Sequence, residues 1–227
     1  MNKNWKKLIV ALDLDERNEI IKVVKALSPQ VTKFKIGPIA FTKFGPSLVK
    51  TLVKQGKDIF LDLKLHDIPN TMKCSAAVIT ELGCWAFTVH CKAGRASLLA
   101  VSEEVRTVAR KKRLRKPLIL GVTELTSSNA SQKSVLKLAI EGINSGIDGI
   151  VASAWEAAAI KSAAKTIGKK ILVVTPGIRG IKDSVGDQKR VATSKTAFKN
   201  GADYIVVGRP IISNKNYLQA AEDVLSC

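Results

Sequence analysis

The sequence predicts an α/β fold: a (β/α)8 TIM barrel, a single domain over residues 1–227. Three observations carry that reading. Eight short apolar runs of strand character recur along the 227 residues. Helical patterns separate them, and strand–helix alternation implies a parallel sheet with right-handed crossovers. Eight repeats in this length suit a closed barrel, whose usual size is about 250 residues. An open doubly wound sheet is the alternative, weakened because no G-x-G-x-x-G opens the first helix. No linker or break in composition marks a second domain.

The runs, in order, are LIVALD (8–13), KFKIG (33–37), IFLDLKL (59–65), AFTVHC (86–91), PLILGVT (117–123), GIVAS (149–153), ILVVTPG (171–177) and YIVVGRPI (204–211). After the first, Ile20, Val23, Val24 and Leu27 follow the i, i+3, i+4, i+7 spacing of a helix with one apolar face. Leu98, Val101, Val105 and Val108 form such a stripe after the fourth. Leu136, Ala139, Ile140 and Ile143 do so after the fifth, and Ile160, Ala163, Ala164 and Ile167 after the sixth.

The third run departs from the others. In FLDLKLHDIP (60–69), leucines alternate with Asp62, Lys64 and His66, the period of two that a strand imposes. Strands of a parallel barrel are covered on both faces, so apolar runs are expected and charges are not. An unpaired buried charge is costly. The charged side chains should therefore lie at the C-terminal mouth, where barrel enzymes place their chemistry. Asp13 ends the first strand, Lys35 nearly ends the second, Asp62 and Lys64 close the third, and Asp67 follows. Alternating acids and bases there compensate one another's desolvation. They define either a catalytic cluster or an ion-pair network that closes the barrel top. Asp67 is also a candidate cap for the helix starting near Asn70.

Late in the chain, TPGIRG (175–180) follows the seventh strand and VGRPI (207–211) closes the eighth. The loops after these strands form the usual phosphate site of a barrel. Glycine lets backbone N–H groups approach, and arginine offers a planar fork to phosphate oxygens. The polar segment 178–191 reads either as a lid over a bound anion or as a surface loop.

Composition narrows the class. Hydrophobic residues make up 46%, a globular proportion. No apolar run approaches the roughly 18 residues of a membrane span. The start MNKNWKKLIVALDLDE has only LIVAL before Asp13, too short for a signal core, so a cytoplasmic protein is expected. Cys74, Cys84, Cys91 and Cys227 show no C-x-x-C spacing and are expected as thiols. Two histidines exclude a His-rich metal site by count, while a carboxylate-bound Mg²⁺ stays open. Lys+Arg 37 against Asp+Glu 19 gives a formal net charge of +18, which favours anionic partners. The densest run, RKKRLRK (110–116), lacks interleaved aromatics and reads as a solvated helix end, with no specific nucleic acid expected.

From VALD (10–13) to VVGRPI (206–211) the sequence resembles the orotidine 5′-phosphate decarboxylase family, in its bacterial form. KFKIG, DLKLHDIPNT (62–71), GVTELTS (121–127), TPGIR (175–179), GDQKR (186–190) and GADYIVVGRPI (201–211) stand in family order. The D-x-K-x-x-D core is shared with related sugar-phosphate barrels, including Mg²⁺-dependent keto-sugar phosphate decarboxylases and aldolases. Joined to DIPNT, LTS and GRPI it is specific.

The resemblance implies decarboxylation of orotidine 5′-monophosphate (OMP) to UMP, the last step of de novo pyrimidine nucleotide synthesis, with no metal or organic cofactor. It implies that Lys35, Asp62, Lys64 and Asp67 are a charged tetrad, Asp67 reaching into the neighbouring site of a homodimer. Lys64 is then the proton donor to C6, Asp62 lies beside the substrate carboxylate, and Lys35 orients the network and meets the ribose. Asp13 is implied at the ribose hydroxyls and Thr126 at the pyrimidine edge. Arg179, Gln188, Gly208 and Arg209 fall at the phosphate end, and Ile68 and Thr71 complete the partner's side.

Overall fold

The structure, a computed structural model, describes residues 4–124, 131–179 and 191–227. Eight parallel strands close into a barrel in sequence order, the eighth pairing with the first. They are β1 (Leu8–Ala11), β2 (Lys33–Ile36), β3 (Asp58–Leu65), β4 (Ala86–His90), β5 (Leu118–Val122), β6 (Gly149–Val151), β7 (Leu172–Thr175) and β8 (Tyr204–Val207). The helices between them are α1 (Arg17–Leu27), α2 (Pro38–Lys54), α3 (Pro69–Glu81), α4 (Gly94–Lys112), α5 (Gln132–Asn144), α6 (Ala157–Thr166) and α7 (Ser194–Lys199). A short α8 (Arg209–Ile212) and then α9 (Tyr217–Ser226) follow β8.

Period-two alternation divides the strand residues between two cores. Ile9, Phe60, Ala86, Leu120, Val174 and Val206 pack together inside the barrel. Their neighbours Leu8, Val10, Phe34, Ile59, Leu61 and Phe87 face the helices, in the larger core. Phe34, Phe60 and Phe87 are among the largest fully buried side chains, and truncating such a residue to alanine costs about 3–5 kcal/mol. The outer core takes up the predicted apolar faces of α1 and α4 unchanged.

Three elements differ from expectation; in α6 the buried face is Ala157, Ile160 and Ala164, and Ile167 lies past the helix end. GRPI does not continue β8: Gly208 ends the strand and α8 begins at Arg209. Pro210 has no N–H for a ladder, and its fixed φ suits a first helical turn. In α5 the buried face is Val135, Ala139, Gly142 and Ile143, rotated from the predicted stripe. Gly142 belongs to that face by close approach: a Cβ there would lie 2.6 Å from Ile147 Cδ1 and 3.1 Å from Cys91 Sγ. Counting large apolar residues cannot detect a contact made by a missing side chain.

The basic run lies where α4 ends, with Arg110, Lys111 and Lys112 in the last turn. All four cysteines are free thiols. Among the described residues, no helix is long and apolar enough to cross a membrane.

Candidate active site

The ends of β1, β2 and β3 bring four charges into one chain of contacts. Lys35 Nζ donates to Asp13 Oδ1 at 2.8 Å and stands 3.7 Å from Asp62 Oδ2. Lys64 Nζ donates to both Asp62 oxygens at 3.0 Å. The parallel register aligns Ala11 with Lys35 and Lys35 with Phe60, so Asp13 and Asp62 each stand two residues above their neighbours. The Lys35 side chain is only 11% exposed. A cation that buried persists only when its charge is compensated, and here two carboxylates do so. The Lys64 side chain, 35% exposed, is the more accessible ammonium.

Backbone geometry makes room for this pair. On Gly37 a Cβ would fall 2.7 Å from both Asp13 Oδ1 and Lys35 Nζ, closer than any real contact. Past Leu61 the ladder between β3 and β4 changes register: Leu61 faces Phe87, but Leu65 faces Val89. The surplus residues of β3 form an irregularity, and within it Lys64 takes a φ of 52°, a left-handed conformation uncommon for lysine. Its N–H donates to Thr88 Oγ1 at 2.8 Å, and that hydroxyl donates to Asp62 Oδ1 at 3.0 Å.

These four charged residues line a cavity of about 490 Å³. Arg179, after β7, and Gly208 with Arg209, after β8, line the same cavity. Its floor is Ala11, Phe60 and Val206, the upper surface of the inner core. Because β8 pairs with β1, the arginines and the lysine–carboxylate chain occupy adjoining sectors of one rim. The flanks of 180–190 meet at its edge, where Arg179 N–H donates to the Ala192 carbonyl at 3.0 Å.

Asp67 does not join the cluster within this chain, contrary to the expectation that all the strand-end charges meet at one mouth. β3 ends at Leu65, the chain turns outward, and Asp67 Oδ1 accepts the Ile68 N–H at 2.7 Å. That bond does not cap α3, whose N-cap is Ile68. Asp67 and Ile68 border a separate open groove with His66, Lys92 and Arg95. Ile68 is 66% exposed, and Thr71 is exposed on the first turn of α3. Thr126, Gln188 and most of the candidate lid lie outside the described residues.

Sequence reading missed Gly37, Thr88 and Glu124. Glu124 lines the cavity, and its carboxylate accepts from Lys92 Nζ at 2.7 Å. That ammonium holds the Glu124 carboxyl below its ordinary range. Beside it the His66 and His90 rings stack with centroids 5.1 Å apart. Burial, and then the neighbouring His66 and Lys92, push the His90 imidazole below its usual value. Among the described residues, no group of three or more His, Cys, Asp or Glu side chains could hold a metal ion.

Fold and rim together define a (β/α)8-barrel enzyme with lysine and carboxylate groups at the C-terminal mouth. The sequence model of the orotidine 5′-phosphate decarboxylase / HUMPS family matches residues 6–224, and the chain belongs to that family. It is 42% identical to the orotidine 5′-phosphate decarboxylase of Syntrophus aciditrophicus, over 97% of this chain and 92% of that one. It is 41% identical to the enzyme of the same name from Aliivibrio salmonicida, over 96% and 95%. The crystal structure of orotidine 5′-phosphate decarboxylase from Lactobacillus acidophilus superposes with a TM-score of 0.81 at 34% identity, covering 97% of this chain and 98% of that one. Kinship of this extent makes the chain a decarboxylase of that family.

Proposed function

We propose that the chain, acting as one catalytic domain, decarboxylates OMP to UMP in pyrimidine nucleotide synthesis, with Lys64 as the proton donor and no cofactor. The observation that carries this reading is the Lys64 ammonium, held by Asp62 in a cavity that arginines also line. The C6–carboxylate bond breaks, carbon dioxide leaves, and its electron pair stays on C6. A lysine ammonium stabilises that charge as it develops and then delivers its proton to C6. Asp62 faces the departing carboxylate. Lys35, which bridges Asp13 and Asp62, orients the network.

Asp13 and Lys35 bind the ribose, Thr126 the pyrimidine edge, and Arg179, Gln188, Gly208 and Arg209 the phosphate. Binding energy from the remote phosphate then fixes the ring over Lys64. The exposure of Asp67, Ile68 and Thr71 supports their being lent to a second copy, in a homodimer with shared sites. The excess of basic residues gathers an anionic substrate, and the enzyme works in the cytoplasm.

The test follows ultraviolet absorbance of OMP mixed with purified protein in chelator. Turnover is expected; a folded dimer without it refutes the reading. Lys64→Ala should bind UMP yet lose at least about 10²–10⁴-fold in kcat, and retained activity would remove Lys64 from its role.

A further inference from the structure

We propose that Thr88 is a positioning residue for the Lys64–Asp62 pair, acting through a single hydroxyl that holds both. The proposal rests on the decarboxylase reading of the cavity and names a part of it outside the substrate's reach. Thr88 is fully buried in β4 and lines none of the cavity wall. Its hydroxyl has one proton and can accept from a second donor. The proton goes to Asp62 Oδ1 at 3.0 Å, and the oxygen accepts the Lys64 N–H at 2.8 Å. Lys64 Nζ closes the circuit on Asp62, 3.0 Å from each oxygen.

The location of this circuit gives it work to do. It spans the one stretch where β3 and β4 lose their register, between Leu61 and Leu65. There Lys64 holds a φ of 52°, a region that bulky side chains rarely enter. Such a conformation persists when its surroundings over-determine it. The Thr88 hydroxyl takes the Lys64 N–H where strand pairing is interrupted, and the same atom fixes the rotation of the Asp62 carboxylate. Backbone and carboxylate are thereby locked relative to each other, and the Lys64 ammonium is aimed by both.

Three variants test this in steady-state assays with OMP, beside equilibrium binding of UMP. Thr88→Val keeps the shape and removes both bonds, Thr88→Ala removes them without added bulk, and Thr88→Ser keeps the hydroxyl. Displacing a reacting group by about 1 Å costs about 10²-fold, so kcat should fall by that order in the valine and alanine variants. Their UMP affinity and KM should stay within about threefold, the signature of a contact used at the transition state. Serine should return kcat to within about tenfold of wild type, since it restores the same two bonds. The role is overturned if valine turns over at the wild-type rate, if serine fails as badly as valine, or if affinity is lost in step with kcat. The last outcome, unfolding included, marks a merely structural residue. Wild-type protein that leaves OMP untouched would instead sink the reading of the reaction.

Discussion

The two ends of the barrel use the same residue types for opposite purposes. On the underside Lys33 pairs with Asp58, Lys116 with Asp148 and Lys161 with Asp203. At the mouth Lys35 pairs with Asp13 and Asp62, and Lys64 with Asp62. Lys33 and Lys35 lie two residues apart on one strand, as do Phe60 and Asp62 on the next. The difference is what else the acids hold: Asp58 also accepts from Arg115 Nη1 at 2.8 Å, and the other two accept backbone N–H groups. Asp148 also accepts the Ile119 N–H at 2.9 Å, and Asp203 the Val173 N–H at 2.7 Å. Those carboxylates stitch adjacent strand starts together. At the mouth, Asp13, Asp62 and both lysines instead border open space. An ion pair is a site when it faces a cavity, and a staple when its acid is spent on backbone or on a second cation away from the cavity.

The sharpest way to break that contrast is a matched pair of substitutions in β2. Lys35→Met should cost about 10²–10³-fold in kcat/KM, the scale of removing one electrostatic stabiliser from an active site. Lys33→Met should leave kcat per folded molecule unchanged. Lys33 Nζ lies 5.3 Å from the Trp85 ring and 3.3 Å from Asp58. Its loss should cost about 1–2 kcal/mol in urea unfolding, with the stem's packing kept by methionine. Equal losses of activity in the two variants would end the distinction.

Next in size is Asp148→Ala, which strands the Lys116 ammonium and the Ile119 N–H together. An unmade buried partner costs about 1–3 kcal/mol, and each kcal/mol lowers Tm by about 2–4 °C at this chain length. Calorimetry should show that fall while kcat holds.

A smaller effect concerns His90, above the mouth. Burial and its cationic neighbours lower its folded pKa from 6.5. The unfolded chain therefore binds more protons in that range, so the stability this creates is complete above about pH 6.5 and is lost as pH falls through the folded value. Urea midpoints of wild type should decline across that window, and those of His90→Gln should decline less. A steeper decline in the variant would reverse the sign.

The smallest test compares the two ends of β4. Cys84 just before it and Cys91 just after it are buried thiols, both pushed up to about 12. Neither should take up an alkylating reagent at neutral pH, while exposed Cys74 should react. Mass spectrometry of the native protein reads the difference.

The barrel was legible because its physics is local and repeated: most strands are short apolar runs, and four of the intervening segments carry an apolar stripe near a 3.6-residue period. Asp13, Lys35, Asp62 and Lys64 were legible because charge at the end of such a run needs a reason. Thr88 was not. A lone threonine in AFTVHC breaks no pattern, and its meaning comes from a contact with Asp62, 26 residues away in the chain. Glu124 was hidden for the same reason, its partner Lys92 lying on a different strand end. Asp67 was placed too near the others because spacing along a strand says nothing about where the following turn sends the chain.

Gly37 carries a warning for anyone scoring relatives by their acids and bases. Every reactive group could be intact in a Gly37→Val copy, yet the added branch would occupy the space where Asp13 and Lys35 touch. Such a gene would pass inspection of its chemistry and still force Asp13 and Lys35 apart, through a few carbon atoms at a residue that contributes no chemistry of its own.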